Sequence, residues 1–416
     1  MATVSPFRGL RYDLSVVGDL ASVTSPPYDV ISPEALERFE QTSPYNIVRL
    51  ILSRDSASSD KYTQAAETLD RWISDGVLVR DEVDSLTVYE QRFVVAGRER
   101  VQRGVLAAVG LDEDGDNPVL PHEHTMRKTV EDRLALLRAT RVQLSPVFAV
   151  YAAGDGGARD VVGRTVSSEP LAAWRSDDDD VAHRAWRLTN SDDIDRVTRA
   201  LAGATIVIAD GHHRFRTAQE YRAERRASYG AGPWDQMLLY LVDASWSGPA
   251  LLPIHRALSI AAEDVVARVD GAFDVEPADA QDPEALAAEV EVRRAQGRTL
   301  ALLGEDRAWW LTVADKAAEA DALPADRSPV WRDLDVAVVE WFLLRQLLGG
   351  AEARYVHTAT EAAEMISKGE AASALLLAPP PFDAVRAVAQ SSEAMPSKST
   401  FFIPKPRTGV VIRPLD

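Results

Sequence analysis

Along this 416-residue chain, apolar positions switch repeatedly between a two-residue and a 3.6-residue period. Residues 60–76 place Tyr62, Ala65, Ala66, Leu69, Trp72 and Ile73 on one stripe and end on Gly76, which predicts an amphipathic helix. Residues 85–95 and 101–111 read as strands joined through Ala96-Gly97, a predicted hairpin. An extended segment then leads into a helix expected to run to about residue 144, followed by a strand over 145–151. Asn190-Ser191-Asp192-Asp193 predicts a capped helix to about residue 202. Ala204-Thr205-Ile206-Val207-Ile208 reads as a short buried strand. Behind it Phe215, Ala218, Tyr221 and Arg222 recur at helical spacing. The alternation continues with a strand over 237–242, a helix over 284–294, strands over 299–303 and 309–313, and a helix over 336–348. Residues 355–358 are strand-like, 361–368 helical and 372–377 a strand.

This pattern predicts an α/β chain, leaning towards α+β, with mixed sheets and flanking helices. Breaks near 152–157 and 242–249 divide it into regions 1–151, 152–248 and 249–416, or leave one interwoven unit. Composition fits an ordinary globular protein, with 46% hydrophobic and 26% charged residues. The formal net charge of -18 argues against coating duplex nucleic acid or an anionic membrane, because both need a basic face. A small nucleotide site stays compatible with that charge. With no cysteine, disulfides, thiol nucleophiles and thiolate ligands are excluded. No apolar run suits a signal peptide or a membrane span, so a cytoplasmic location is expected. The pattern carries no signal for oligomeric state.

The densest chemistry lies at Ala209-Asp210-Gly211-His212-His213-Arg214, between the predicted strand and helix. Ligands of open α/β sheets bind at such strand-to-helix turns. The N–H groups opening a helix favour anions, and Gly211 suits close approach or positive φ. Asp210 is suited to hold a metal or take a proton, His212 and His213 to donate, accept or ligate, and Arg214 to grip phosphate or carboxylate. The bland alternative makes Asp210 a cap, Gly211 a turn and the histidines buried polar fillers.

Three further stretches carry polar groups. Pro26-Pro27-Tyr28-Asp29 makes a rigid loop, either a corner or a ligand wall. In Leu120-Pro121-His122-Glu123-His124, strand-like alternation would put His122 and His124 on one face. In the helix behind them, Arg127 with Glu131 and Lys128 with Asp132 fall at ion-pair spacing. Met395-Pro396-Ser397-Lys398-Ser399-Thr400 is an anion contact or an edge strand, and no glycine-rich run precedes it as a phosphate loop would need. His255 and Arg256 end an apolar segment and are candidates to face the same cleft. The acidic runs 112–118 and 177–180 read as solvated turns.

Collected in order, Pro6-Phe7-Arg8-Gly9-Leu10, Pro26-Pro27-Tyr28-Asp29-Val30, His122-Glu123 with Thr125 and Glu131-Asp132-Arg133, the 209–214 turn, and Met395 to Thr400 through Pro404-Lys405 resemble a bacterial and archaeal domain-of-unknown-function family, number ten-fifteen. One departure is Leu120-Pro121, where a basic residue is expected before the His-Glu pair. The Asp210-Gly211-His212-His213-Arg214 stretch is also similar to the Asp-Gly-His-His-Arg turn of free-serine kinases with a ParB/sulfiredoxin-like fold. That similarity implies a strand-turn-helix holding nucleotide phosphates, and phosphoryl transfer from a nucleotide, ATP or ADP, with Mg²⁺ to a small hydroxyl compound. It implies phosphate contacts from His212, His213 and Arg214, with Asp210 or a nearby acid on the metal.

On chemistry alone, Glu123 is the candidate to accept the hydroxyl proton or help hold metal. Gly211, His213, Arg214, Lys398, Ser399 and Thr400 are the candidate nucleotide contacts, and Asp210 and His122 the candidate metal ligands. A rival reading is a hydrolase in which His122, His124, His212, His213 and Asp210 hold Zn²⁺ or Mn²⁺ and activate water. A third reading is a nucleotide-binding regulator.

Overall fold

In the computed structural model, residues 3–56, 59–111, 119–152, 156–279 and 282–416 are described. The acidic run 112–118 lies outside them. The fold is mixed α/β, and the chain forms two compact units. The first comprises Met1–Leu120, Thr125–Ala250 and Pro404–Asp416; the second comprises Pro121–His124 and Leu251–Ile403.

The first unit is built on a nine-stranded sheet among the described residues. From one edge its strands run Val119–Leu120, Ile206–Asp210, Val147–Tyr151, Gln236–Asp243, Arg98–Gly110, Leu86–Val95, Ala182–Leu188 and Ala172–Arg175; Val4–Ser5 adds to Arg98–Gly110. Residues 1–151 and 152–248 therefore contribute strands to one sheet. Most pairs are antiparallel, but Gln236–Asp243 runs parallel to Val147–Tyr151 and Ile206–Asp210 parallel to Val119–Leu120. The hairpin forms as expected, with Ala96 and Gly97 both at positive φ, the backbone that a tight reversal demands. Val88, Val105, Val109, Val147, Ile208 and Leu239 belong to one buried core. The helix Lys61–Ser74 follows its predicted stripe, with Asp60 accepting from the N–H groups of Tyr62 and Thr63. Asn190 caps Ser191–Ala202 in the same way.

The second unit holds a six-stranded antiparallel sheet in the order Phe273–Ala278, Ala308–Val313, Thr299–Leu303, Ser373–Leu376, His255–Leu258 and Ala353–Val356. Its core is largely aliphatic, with Leu286, Val290, Leu303, Val356 and Leu376 among its members beside Trp310.

Several local expectations need correction. The strand placed at 204–208 runs Ile206–Asp210, and the following helix starts at His212. The helix expected to reach 144 stops at Thr140, because Arg141 adopts a left-handed backbone. The helix over 336–348 splits into an α-turn, Asp335–Val338, and a wider π-helical stretch, Val339–Leu347. Residues 121–126 form no strand; His122 is buried and His124 exposed, so they share no face. Arg127 does pair with Glu131 at 2.8 Å. Asp132, however, binds Lys61 at 2.6 Å and the Tyr62 hydroxyl at 2.9 Å instead of Lys128. The run at 177–180 is only partly solvated: the buried Arg407 guanidinium donates to Asp178 at 2.7 Å, and burial raises the Asp179 carboxyl.

Candidate functional site

The site begins with an irregular strand end. Pairing between Ile206–Asp210 and Val147–Tyr151 shifts register between Ile208 and Asp210, which re-aims the last side chain. Gly211 follows at φ +99, the left-handed region that only glycine enters at low cost, and opens the 18-residue helix His212–Tyr229. A Cβ at Gly211 would lie 2.9 Å from Arg214 Nη2, so the missing side chain is where the guanidinium packs. No side chain caps this helix and its first turn carries no acid. Its dipole therefore presents partial positive charge beside Asp210.

Asp210 is held by two cations. Arg214 Nη2 donates to Oδ2 at 2.6 Å, and Lys405 Nζ donates to Oδ1. Arg214 also donates through Nη1 to the Pro146 carbonyl. Burial by itself would raise the Asp210 carboxyl, but Lys405 and Arg214 hold it below the ordinary carboxylate range. Burial likewise opposes the Lys405 ammonium, yet Asp210 and Asp29 keep its pKa above the usual lysine value. His212 is buried, and burial pushes it down to about 3 against the pull of Asp210. It is a neutral ring. His213 Nε2 accepts from the Met126 N–H at 3.0 Å, which leaves the proton of a neutral ring on Nδ1.

Lys405 reaches Asp210 from 195 positions away because its backbone is pinned. The buried amides of Gln91 and Gln102 donate to the carbonyls of Lys405 and Pro404 at 3.0 and 3.1 Å. Flanking prolines restrict the backbone further. Tyr28 and Asp29 stand close by. Burial pushes the Tyr28 phenol up to about 12, with Arg214, Asp29, Arg133 and Asp210 all acting on it. The Arg133 guanidinium lies 4.5 Å from the Tyr28 ring centre. Tyr28, Arg133, Arg214, Ile51, Ser145 and Met237 line a cleft enclosing about 70 Å³. The Pro-Pro-Tyr-Asp loop is thus a wall of this cleft.

The other candidates lie in the second unit. His122 Nε2 shares a 3.1 Å hydrogen bond with Thr400 Oγ1, and the Met395 N–H donates to the His122 carbonyl at 2.8 Å. Ser399 is buried and donates to the Pro396 carbonyl at 2.5 Å. Lys398 is exposed at φ +55, and its carbonyl accepts from Arg256 Nη2 at 3.3 Å. Glu123 is half-buried beside His122. Arg256 is fully buried, with Glu340 at 3.1 Å, so it is a strut for this loop. The structure therefore brings the His-Glu segment and the 395–400 loop together within one unit, and gathers Asp210, Gly211, His212, His213 and Arg214 in the other.

Among the described residues, no three His, Asp or Glu side chains converge as metal ligands. With Lys405 and Arg214 on its carboxylate, Asp210 is already neutralised and does not fit a directly bound divalent ion. Lys405 and Asp29 lie in stretches that the sequence marks, but neither is among the site residues that it nominates. The signal for Lys405 was its place between two prolines, Pro404-Lys405-Pro406.

No curated protein matches the chain. Among solved structures it is similar to a free serine kinase in complex with AMP, at 15% identity over 70% of this chain and 89% of that one, with a TM-score of 0.34. A conserved hypothetical protein from Pyrococcus furiosus matches at 15% identity over 69% and 87%, with a TM-score of 0.33. C-terminally truncated SbnI from Staphylococcus aureus matches at 9% identity over 73% and 85%, with a TM-score of 0.35. No helix among the described residues is long and apolar enough to cross a membrane. The family model for proteins of unknown function, DUF1015, matches residues 4–337, most of the chain and all of the Asp210 turn; the chain belongs to that family.

Proposed function

We propose that the protein binds the phosphates of a nucleotide at the Asp210 turn and transfers a phosphoryl group to a small hydroxyl compound. The observation that carries this reading is Lys405, a half-buried ammonium set beside Arg214 at the uncapped opening of a long helix. Two cations, a helix dipole and a close-approach glycine are the parts that phosphate recognition needs. The cleft as found has room for a few waters and none for a nucleobase. The phosphates would sit at the turn itself, where Lys405, Arg214 and the helix opening meet, and the base outside this cleft.

In the transfer, the bond from phosphorus to the acceptor oxygen forms as the bond to the leaving phosphate breaks, and the hydroxyl proton passes to a carboxylate. Glu123 is the candidate drawn from sequence chemistry. Asp29 is its competitor in the unit holding the turn, since it is exposed and acts on Lys405. A divalent ion would supply charge neutralisation on the phosphates themselves and needs little direct protein ligation.

Calorimetric titration of ATP and ADP into the wild type and Lys405→Met tests this. Asp210 keeps Arg214 as a partner in the variant, so the fold should persist. A lost charged hydrogen bond is worth about 1.5–3 kcal/mol, so the dissociation constant should rise roughly ten- to a hundredfold. Equal affinities, or no nucleotide binding by the wild type, would remove the reading. Binding without any phosphomonoester product by ³¹P NMR, across a panel of amino alcohols, would leave a regulator instead of an enzyme.

A further inference from the structure

The cleft walled by Tyr28 is a gap between two parts of the core of the first unit. Met237 and Ala218 belong to the large cluster of the nine-stranded sheet, whereas Leu137 belongs to a smaller one with Leu134, Tyr221 and Leu415. Ile51, Leu136, Val142 and Leu144, all buried, complete its apolar walls. Close packing leaves few voids larger than a water molecule. The space of about 70 Å³ is roughly the share of two waters in the liquid, or of a chain of about three carbons.

Most polar groups in the lining are spent. The Arg133 guanidinium donates to Asp132 and to the Ile51 carbonyl. Gln143 donates to the Gln236 carbonyl and accepts from the Leu238 N–H. Ser145 pairs with Thr408, and Thr217 donates to the Val130 carbonyl. Two groups are not spent. The Tyr28 hydroxyl makes no hydrogen bond among the described residues and, with its pKa pushed up to about 12, keeps its proton. Arg214 gives one N–H to Asp210 and one to the Pro146 carbonyl, and its buried Nε has no partner among the described residues. The two guanidiniums in the lining face Asp132 and Asp210, so the cleft calls for no anion. Apolar walls with two donors call for a short hydrocarbon carrying an accepting oxygen.

The cleft and the phosphate turn share two pieces. Arg214 lines the one and belongs to the other, and Tyr28 adjoins Asp29, whose charge acts on Lys405. We infer that the phosphoryl acceptor is a short neutral aliphatic alcohol, with its hydrocarbon body between Met237 and Leu137 and its oxygen on Tyr28 and Arg214. This rests on the phosphate reading of the turn. With ATP as donor, the alcohol oxygen bonds to the γ-phosphorus as the bond to ADP breaks. The hydroxyl proton passes to a carboxylate, and the product is an alkyl phosphate.

The test is methyl NMR of protein labelled with ¹³C at its methionine methyls, titrated with propan-1-ol and with glycerol. Propan-1-ol should move the Met237 signal saturably and leave the exposed Met126 unmoved. Glycerol, with the same three carbons and two more hydroxyls, should need roughly tenfold higher concentration. Ala218→Leu, which fills the cleft, should abolish the shift. Tyr28→Phe, which keeps the ring, should weaken it about threefold. With ATP and Mg²⁺, ³¹P NMR should show propyl phosphate forming roughly tenfold faster than glycerol phosphate at equal concentration. An unmoved Met237 signal, an undiminished shift in Tyr28→Phe, or ATP binding with no propyl phosphate would each overturn the inference while the nucleotide reading stands. A moved Met237 signal in a protein that binds no nucleotide would instead overturn it through the phosphate reading.

Discussion

Two carboxylates in the first unit, the buried Glu90 and the half-buried Asp210, are each gripped by several cations, yet they arise in opposite ways. Glu90 sits in mid-strand, with Arg103 and Arg184 directly opposite it on the two neighbouring strands. Arg92, two residues along the same strand, completes the set, at 2.9, 2.7 and 2.6 Å for Arg92, Arg103 and Arg184. Burial opposes the Glu90 charge, and the three arginines still hold its carboxyl low. Sheet register alone dictates this cluster. Asp210 instead needs a register slip, a left-handed glycine, a helix opening and a lysine from the far end of the chain. A crowd of arginines on an acid is therefore no sign of a site. What sets Asp210 apart is the backbone geometry that leaves a helix end beside two cations.

The comparison can be broken by substitution. Glu90→Gln strands three guanidiniums around a neutral amide, and losing one partner of a buried ion pair should cost about 3 kcal/mol in urea unfolding. Nucleotide affinity, measured on the folded variant, should not change. If affinity falls with stability, the sheet cluster is part of the site and the contrast fails.

The next effect is in pH. His212 is held neutral in the folded chain, at about 3 against 6.5 when exposed, because it is buried. Its contribution is complete above pH 6.5 and is lost as pH falls toward 3, since the unfolded chain takes up the proton first. Between pH 6.5 and 5 that amounts to about 2 kcal/mol. His212→Gln should flatten the stability profile over this interval by about that much, while an unchanged slope would mean that the ring titrates alike in the folded and unfolded chain. His183, near Glu90 on the same strand as Arg184, is pushed down to about 2 by burial, so it should keep supplying the same sign of slope in the variant.

Gly211→Ala is the smallest change. The left-handed backbone costs about 1–2 kcal/mol for a residue with a Cβ. The new methyl would also crowd Arg214 Nη2. The expected result is a modest loss of stability with a larger loss of nucleotide affinity. A variant that loses stability alone would make the turn a structural feature, as the Glu90 cluster is.

Much of the fold was legible in the pattern. The hairpin through Ala96-Gly97, the helix behind Asp60 and the capped helix behind Asn190 all follow from local periodicity and capping, which act over a few residues. The element ends at 140 and 206–212 were less legible, because a left-handed residue and a register slip depend on what packs alongside. For the site, the local run 209–214 was readable because its chemistry is contiguous. The contacts of the 395–400 loop were less legible, because they are made across long stretches of chain. That loop pairs its own Thr400 with His122 and pins Lys398 through Arg256, whereas the lysine that meets Asp210 is Lys405.

The sequence by itself determined the α/β class, the family, and the strand-turn-helix with its load of Asp, Gly, His and Arg, because these rest on residue type and short-range spacing. Only the tertiary structure decided which cation completes the turn, that His212 is neutral, and that Asp210 is ion-paired. Those properties depend on burial and on contacts closing over 195 residues, and no local pattern encodes either.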